Sequence, residues 1–136
     1  MILGFDPGRD KCGIAIGDSD RIIYLHQTIA SGEAIAYIDK SLEKWAIDLI
    51  VMGNLTTAKD WYRQLKASFA SVTIKMIDER NSTVEARDRY WQMYPPQGLQ
   101  KLIPQSLRTP PRPIDDIVAI LLIERYLSTE GKYSNP

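Results

Sequence analysis

The segment that most constrains the fold is "DLIVMG" at residues 48–53. Its apolar residues follow one another without polar alternation, which is typical of a β-strand that is buried on both faces. Such a strand needs a covering layer on each side of its sheet. A second apolar run, at residues 117–123, lies inside a predicted helix and must also be deeply covered. The sequence therefore favours an α/β fold with helices on both faces of a sheet.

The order of the predicted elements supports this fold. Residues 1–6, 11–18 and 21–29 are predicted to be three strands joined by short turns, an antiparallel meander. Strands at 48–53 and 72–78 alternate with helices, so we expect them to run parallel to the first strand. The expected architecture is a mixed five-stranded sheet with the order βββαβαβα and a last helix.

Helix starts are predicted from local signals. Ser31 is a candidate N-cap for a helix that reaches about residue 45, and a second helix is expected over residues 58–70. The sequence "STVE" at 82–85 fits a capping box and predicts a third helix, to about Met93. A last helix is predicted over residues 114–128.

The 136 residues predict one domain, over residues 1–128, with a flexible tail at 129–136. The segment 94–113 interrupts the pattern and holds six of the eight prolines. Loops of this length in compact domains are usually functional or disordered.

Composition excludes several classes of protein. The formal net charge is zero, so a nucleic-acid partner would require a local basic patch. Cys12 is the single cysteine, which excludes an intrachain disulfide and fits a reducing cytoplasm. No signal peptide or long apolar span is seen, so we expect a cytoplasmic protein without a membrane partner.

Acidic residues fall where an α/β sheet usually binds ligands, at the carboxyl ends of parallel strands. Asp6 ends the first predicted strand, Asp78 and Glu79 end the fifth, and Asp115 and Asp116 begin the last helix. Taken singly, each has an ordinary explanation: Asp6 as a turn residue before Pro-Gly, Asp115 as a helix cap. Together they predict three acidic groups at one edge of the sheet.

Carboxylates that converge repel one another unless a cation lies among them. Oxygen ligands suit Mg²⁺ or Mn²⁺, and paired ions of this kind can support phosphodiester hydrolysis. His26 is the only histidine, so a zinc site is not expected. Asp115 and Asp116 cannot face one ion equally, because adjacent helix residues point about 100° apart.

Basic residues are concentrated beside this edge. The stretch 80–112 contains six basic residues and two acidic ones. Arginine binds phosphate through paired hydrogen bonds, so we expect substrate contacts from Arg9, Arg80, Arg87, Arg108 and Arg112. The alternative is that these are ordinary surface charges. Nearby aromatic residues, Tyr90, Trp91 and Tyr94, are either base-stacking groups or, by preference, core or dimer-interface residues.

Three blocks of sequence resemble one family. "ILGFDPGRDKCGIAIGD" at residues 2–18 is similar to the first motif of the RuvC-like Holliday junction resolvases. "IDERNSTVEAR" at 77–87 resembles the signature of the YqgF family of Holliday junction resolvases or pre-16S rRNA nucleases, and "IDDIVAILLIERYL" at 114–127 resembles its last helix. The resemblance implies an RNase H-like fold and a metal-dependent endonuclease that acts on branched DNA or precursor rRNA.

The resemblance also implies roles for individual residues. Asp6, Glu79 and Asp115 would be the catalytic, metal-binding acids, with Mg²⁺ or Mn²⁺ as cofactor and Asp116 as a possible substitute ligand. The chain departs from the family after the fourth strand, where it has "GNLTTAKDW", and Asn54 stands where RuvC-type enzymes carry an acid. Glu79 would therefore have to reach inward from a strand that lies roughly 10 Å from the first.

These departures keep alternatives open. A catalytically impaired nucleic-acid-binding module of the same fold is the main one. A nucleotide-binding domain is another, because the stretch around Asp6 also resembles the first phosphate loop of actin-like ATPases. The sequence leaves the choice between monomer and homodimer open.

Overall fold

The structure is a computed structural model that describes residues 1–55 and 57–133, with only the backbone of 130–133. Its five strands are β1 (Ile2–Asp6), β2 (Lys11–Gly17), β3 (Ile23–Ala30), β4 (Leu49–Gly53) and β5 (Thr73–Ile77). They form one sheet in the order β3-β2-β1-β4-β5. β1, β2 and β3 are antiparallel neighbours, whereas β4 lies parallel to both β1 and β5. The predicted mixed sheet is confirmed.

The helices are α1 (Ala34–Lys44), α2 (Ala58–Ser68), α3 (Ser82–Met93) and α4 (Asp115–Tyr133), and short 3-10 turns lie at Ser31–Glu33, Gly98–Leu102 and Gln105–Leu107. One face of the sheet packs against α1 and α2, through side chains such as Ile38 and Leu65. The other face packs against α4 through Ile120 and Ile123. Helices therefore cover both faces, as the apolar strand β4 requires.

The helix α4 lies unusually close to the sheet. A Cβ added at Gly4 would overlap the carbonyl oxygen of Ala119, and one at Gly13 would overlap the carbonyl oxygen of Asp115. Small residues on β1 and β2 thus let the helix backbone approach the strands directly. This approach places the first turn of α4 beside the end of β1.

Several element boundaries differ from the predictions. Ser31 does not cap α1, because its hydroxyl donates to the Gly8 carbonyl at 2.9 Å and a 3-10 turn comes first. Ser82 is the first residue of α3 rather than its cap, and Asn81, with φ 62°, occupies the cap position without a side-chain hydrogen bond. The predicted capping box is therefore wrong, although the helix starts where it was expected.

The last helix is longer than predicted. It continues past Ser128 to Tyr133, so the first part of the segment assigned to a tail is helical. Residues 134–136, the rest of that predicted tail, lie outside the described residues, as does Thr56 in the loop after β4. Within the described ranges, none of the helices has the length and apolar character needed to cross a bilayer.

Candidate active site

Asp6 is held at the end of β1 by strand pairing on one side and a turn on the other. It is the last residue of the strand and lies opposite Gly13 of β2. The turn that follows contains Gly8, where a Cβ would overlap the Lys11 carbonyl oxygen. The chain therefore reverses immediately after Asp6, and the partly buried carboxyl group lies at the edge of the sheet.

Glu79 reaches Asp6 by crossing the end of β4. Its side chain occupies the space that a Cβ at Gly53 would need, and such a Cβ would overlap the Glu79 carboxyl carbon and Oε1. The backbone N–H of Glu79 donates to Asn54 Oδ1 at 3.3 Å. Gly53 thus leaves room for the Glu79 side chain and Asn54 holds its backbone, so that the carboxyl group extends from the end of β5 to Asp6.

Asp115 arrives from the first position of α4. Because α4 lies directly on Gly13, and Gly13 pairs with Asp6, the helix start lies next to the end of β1. Both Glu79 and Asp115 are within hydrogen-bonding range of the Asp6 carboxyl group. The structure therefore brings together three acids that are far apart in the sequence.

This convergence perturbs Asp6 strongly. Burial, followed by hydrogen bonding and charge repulsion from Glu79 and then from Asp115, raises the pKa of Asp6 from 3.8 to about 9. In the absence of a cation this favours the protonated form of Asp6 at neutral pH, because its anion would lie beside two other acidic groups with little water. A bound cation would reverse this preference.

The donor set fits a hard cation. Glu79 is 4% exposed, and its Oε1 is buried without a hydrogen-bond partner. An unpartnered buried carboxylate oxygen is costly unless a cation or another donor satisfies it. Over the described parts of the chain, no basic side chain forms an ion pair with Asp6, Glu79 or Asp115. Oxygen ligands of this kind suit Mg²⁺ or Mn²⁺.

The acids contact one another through Asp6 and do not surround a common point. Among the side chains that the structure describes, no three acidic, histidine or cysteine groups are arranged to hold one ion.

Asp116 is not part of this group. It is 2% exposed, and its Oδ2 lies 2.6 Å from His26 Nδ1 while its Oδ1 lies 3.0 Å from Arg112 Nη1. Burial alone would raise the pKa of Asp116, but the hydrogen bonds to His26 and Arg112 outweigh it and leave the pKa below 3.8. Asp116 therefore joins α4 to β3 and to the loop before α4.

The predicted substrate-binding arginines fall into two groups. Arg9, Arg80 and Arg87 are exposed, and Arg80 is next to Glu79. In contrast, Arg108 donates to the carbonyls of Gln100 and Ile103, and Arg112 pairs with Asp116. Arg108 is thus held by carbonyls within the loop 94–113, and Arg112 joins that loop to α4.

The aromatic residues divide in the same way. Tyr90 and Trp91 are each 6% exposed and lie in the core between α3 and α4. The guanidinium of Arg108 lies 5.6 Å from the Trp91 ring centre, and that of Arg112 lies 5.4 Å from the Tyr90 ring centre. Tyr94, at 42% exposure, is the member of this set that faces solvent.

Sequence reasoning did not foresee how three residues arrange the site. Gly53 makes room for Glu79, Asn54 holds its backbone N–H, and Arg125 of α4 holds the neighbouring carbonyls of Asp78 and Arg80. The glycine that ends an otherwise branched apolar strand was the one available signal. Nothing in the spacing of Arg125 indicated its partners.

Comparison with known proteins gives a family match over most of the chain. Residues 1–129 match the RuvX family model, described as Holliday junction resolvase. A protein of Xanthomonas oryzae pv. oryzae (strain PXO99A), named "Putative pre-16S rRNA nuclease", is 27% identical over 93% of this chain and 86% of its own length. A protein with the same name from Xanthomonas campestris pv. campestris (strain B100) is 25% identical over the same shares.

Two solved structures share the fold. The Fowlpox virus resolvase, crystallised with Holliday junction DNA, superposes with a TM-score of 0.59, 15% identity and coverage of 94% of this chain and 97% of the resolvase chain. Thermus thermophilus RuvC gives a TM-score of 0.53, 11% identity and coverage of 97% and 96%. At these identities the match concerns the fold, and it confirms the predicted RNase H-like architecture.

Proposed function

Because the chain belongs to the RuvX family of Holliday junction resolvases, we propose that it is a divalent-metal-dependent endonuclease acting on structured nucleic acid. The membership confirms the family resemblance found in the sequence. The observation that carries the proposal is the buried, unpartnered Oε1 of Glu79, which lies in a group with Asp6 and Asp115. Three mutually repelling acids without a basic partner destabilise a fold unless a ligand uses them.

In this proposal Asp6, Glu79 and Asp115 hold Mg²⁺ or Mn²⁺. When bound, such ions activate water and stabilise the leaving oxygen of a phosphodiester. Exposed arginines beside the site, Arg9 and Arg80, bind the phosphates on either side of the scissile bond. Arg87, the sixth residue of α3, is also exposed and is the third arginine available for phosphate contacts.

Two of the predicted arginine contacts are reassigned. Arg108 donates from Nε to two carbonyls of the loop 94–113 and lies over the Trp91 ring. Arg112 donates to the carboxylate of Asp116 and lies over the Tyr90 ring. We therefore propose that both arginines hold the loop rather than bind phosphate. Asp116 likewise holds α4 in place through its contacts with His26 and Arg112. We therefore propose Asp115 rather than Asp116 as the metal ligand.

Precursor rRNA and branched DNA remain the two substrates to compare. The sequence relatives are named for pre-16S rRNA, which favours precursor rRNA and a cytoplasmic site of action. The Fowlpox virus resolvase was crystallised with a DNA junction, which supports the second substrate at the level of fold.

The test compares cleavage of a 16S rRNA precursor and a four-way DNA junction in Mg²⁺, in Mn²⁺ and in EDTA. We expect metal-dependent cleavage of at least one substrate. Asp6→Asn should abolish it, whereas Asp10→Asn, at an exposed acid in the same turn, should not. Full metal-dependent cleavage by Asp6→Asn would refute the mechanism. Binding of either substrate in EDTA, with no turnover in metal, would select the non-catalytic binding module instead.

A further inference from the structure

The loop that carries Glu79 is held by hydrogen bonds at five backbone groups of residues 78–80. The Glu79 N–H donates to Asn54 Oδ1, and the Ser82 N–H donates to the Glu79 carbonyl at 2.9 Å. The Arg80 N–H donates to Asp78 Oδ1, also at 2.9 Å. Two carbonyls complete the set, those of Asp78 and Arg80, and both are bound by a single side chain.

That side chain is Arg125 of α4. Its Nη1 donates to the Asp78 carbonyl at 2.6 Å, and its Nη2 donates to the Arg80 carbonyl at 2.8 Å. Nη2 also lies 3.0 Å from Glu85 Oε2. The guanidinium therefore binds the carbonyls of the two residues that flank Glu79 and is itself oriented by Glu85.

We propose that Arg125 is a positioning residue that sets the place of the Glu79 carboxylate relative to Asp115. We call the two hydrogen bonds from Arg125 to the Asp78 and Arg80 carbonyls the clamp. The effect on metal binding rests on the proposed function, whereas the clamp does not. Asp115 and Arg125 belong to the same helix, so one rigid element fixes both a ligand and the loop that carries another. Residues that orient metal ligands typically change metal affinity 10- to 100-fold when removed.

The geometry requires arginine at this position. A guanidinium presents several N–H donors in a fixed plane and can bind two carbonyls at once, whereas a lysine ammonium is a single compact charge on a flexible stem. Arg125→Lys would keep the charge and the attraction to Glu85 but lose one of the two carbonyl contacts. Arg125→Ala would lose both.

A matched control lies on the neighbouring helix. Arg89 of α3 pairs with Glu124 Oε1 at 2.8 Å, and within the described parts of the chain it forms no hydrogen bond or ion pair with the loop 78–81. Its side chain is 33% exposed, against 22% for Arg125, so the two arginines are similarly covered. Arg89→Ala therefore removes an α3–α4 ion pair and leaves the Glu79 loop intact.

The first measurement is amide hydrogen exchange in EDTA, which tests the clamp without metal. We expect the amides of Glu79 and Arg80 to exchange at least about tenfold faster in Arg125→Ala, with Arg125→Lys between the wild type and Arg125→Ala, because their hydrogen bonds open more often. In Arg89→Ala these amides should keep the wild-type rate. Equal rates in Arg125→Ala and Arg89→Ala would overturn the inference.

The second measurement is the affinity for Mn²⁺, by titration calorimetry. Arg125→Ala should bind Mn²⁺ about 10- to 100-fold more weakly, and millimolar methylguanidinium should restore part of the affinity. Rescue is feasible because Arg125 lines an open groove of about 700 Å³ with Asp78, Arg80 and Glu85. Unchanged Mn²⁺ affinity in Arg125→Ala would refute the positioning role. Failure of the wild type to bind Mn²⁺ would instead refute the proposed function, and the exchange rates would still decide the clamp.

Discussion

Substitution of Asp6 by asparagine should stabilise the metal-free protein, although it removes a residue that we propose for the active site. Asparagine has nearly the same shape as the protonated carboxyl group but does not ionise. Burial of Asp6, together with its contacts with Glu79 and Asp115, raises its pKa from 3.8 to about 9. The wild-type protein must therefore keep a proton at Asp6, or accept an additional buried negative charge beside Glu79 and Asp115, in order to fold at neutral pH.

The sign and size follow from proton linkage. A carboxyl group with a raised pKa binds its proton more tightly in the folded state, so the contribution of Asp6 to folding stability is highest below pH 3.8 and falls as pH rises towards 9. One pH unit between the two pKa values corresponds to about 1.4 kcal/mol. From pH 5 to pH 8 the contribution of Asp6 to the free energy of unfolding should therefore fall by about 4 kcal/mol. Rotation of the carboxyl groups and entry of water reduce this, and we expect about 2–4 kcal/mol.

The assay is urea unfolding in EDTA, followed by tryptophan fluorescence, for the wild type, Asp6→Asn and Asp10→Asn. The free energy of unfolding of Asp6→Asn, relative to that of the wild type, should rise by about 2–4 kcal/mol from pH 5 to pH 8. Asp10→Asn should show no such rise, because Asp10 is exposed. A difference between Asp6→Asn and the wild type that is constant or shrinks with pH would refute the view that three acids are crowded together.

Two further predictions concern neighbouring residues. Gly53→Ala places a methyl group where the Glu79 carboxylate lies, so it should lower the kcat of cleavage about 100-fold while the circular dichroism spectrum stays unchanged. The control is Gly32→Ala, because a Cβ at Gly32 would have no neighbour within 4 Å. Equal activity of the two variants would contradict the prediction. Asp116→Asn should lose about 2–3 kcal/mol of stability at pH 7 by urea unfolding. Because the pKa of Asp116 is lowered, that loss should shrink as pH falls below 3.8, and a loss that is independent of pH would count against the ion pair with Arg112.

Local sequence patterns were sufficient for the order of helices and strands. The wholly apolar strand β4 indicated a sheet covered on both faces, and the three early strands with short turns indicated the antiparallel half of the sheet. Errors occurred at element ends. Ser31 bonds to the Gly8 carbonyl across the fold instead of capping α1, a contact that no local pattern contains.

The positions of the acids were also accessible from sequence, because strand ends and helix starts can be located from it. What the sequence could not decide was the direction of each side chain. Asp115 and Asp116 are adjacent, yet the first lies near Asp6 and the second is committed to His26 and Arg112. The rotation of α4 about its axis decides between them, and packing against β1 and β2 sets that rotation.

The sequence by itself thus determined the fold class, the edge of the sheet where a site should lie and the family to which the chain is related. Only the tertiary structure showed that Glu79 reaches Asp6, because that contact depends on Gly53 of β4, on Asn54 and on Arg125 of α4. The physical reason is the sequence separation of the interacting residues. Strand and helix patterns follow from residues that are neighbours along the chain. Contact between the acids follows from the close packing of elements that are distant in sequence.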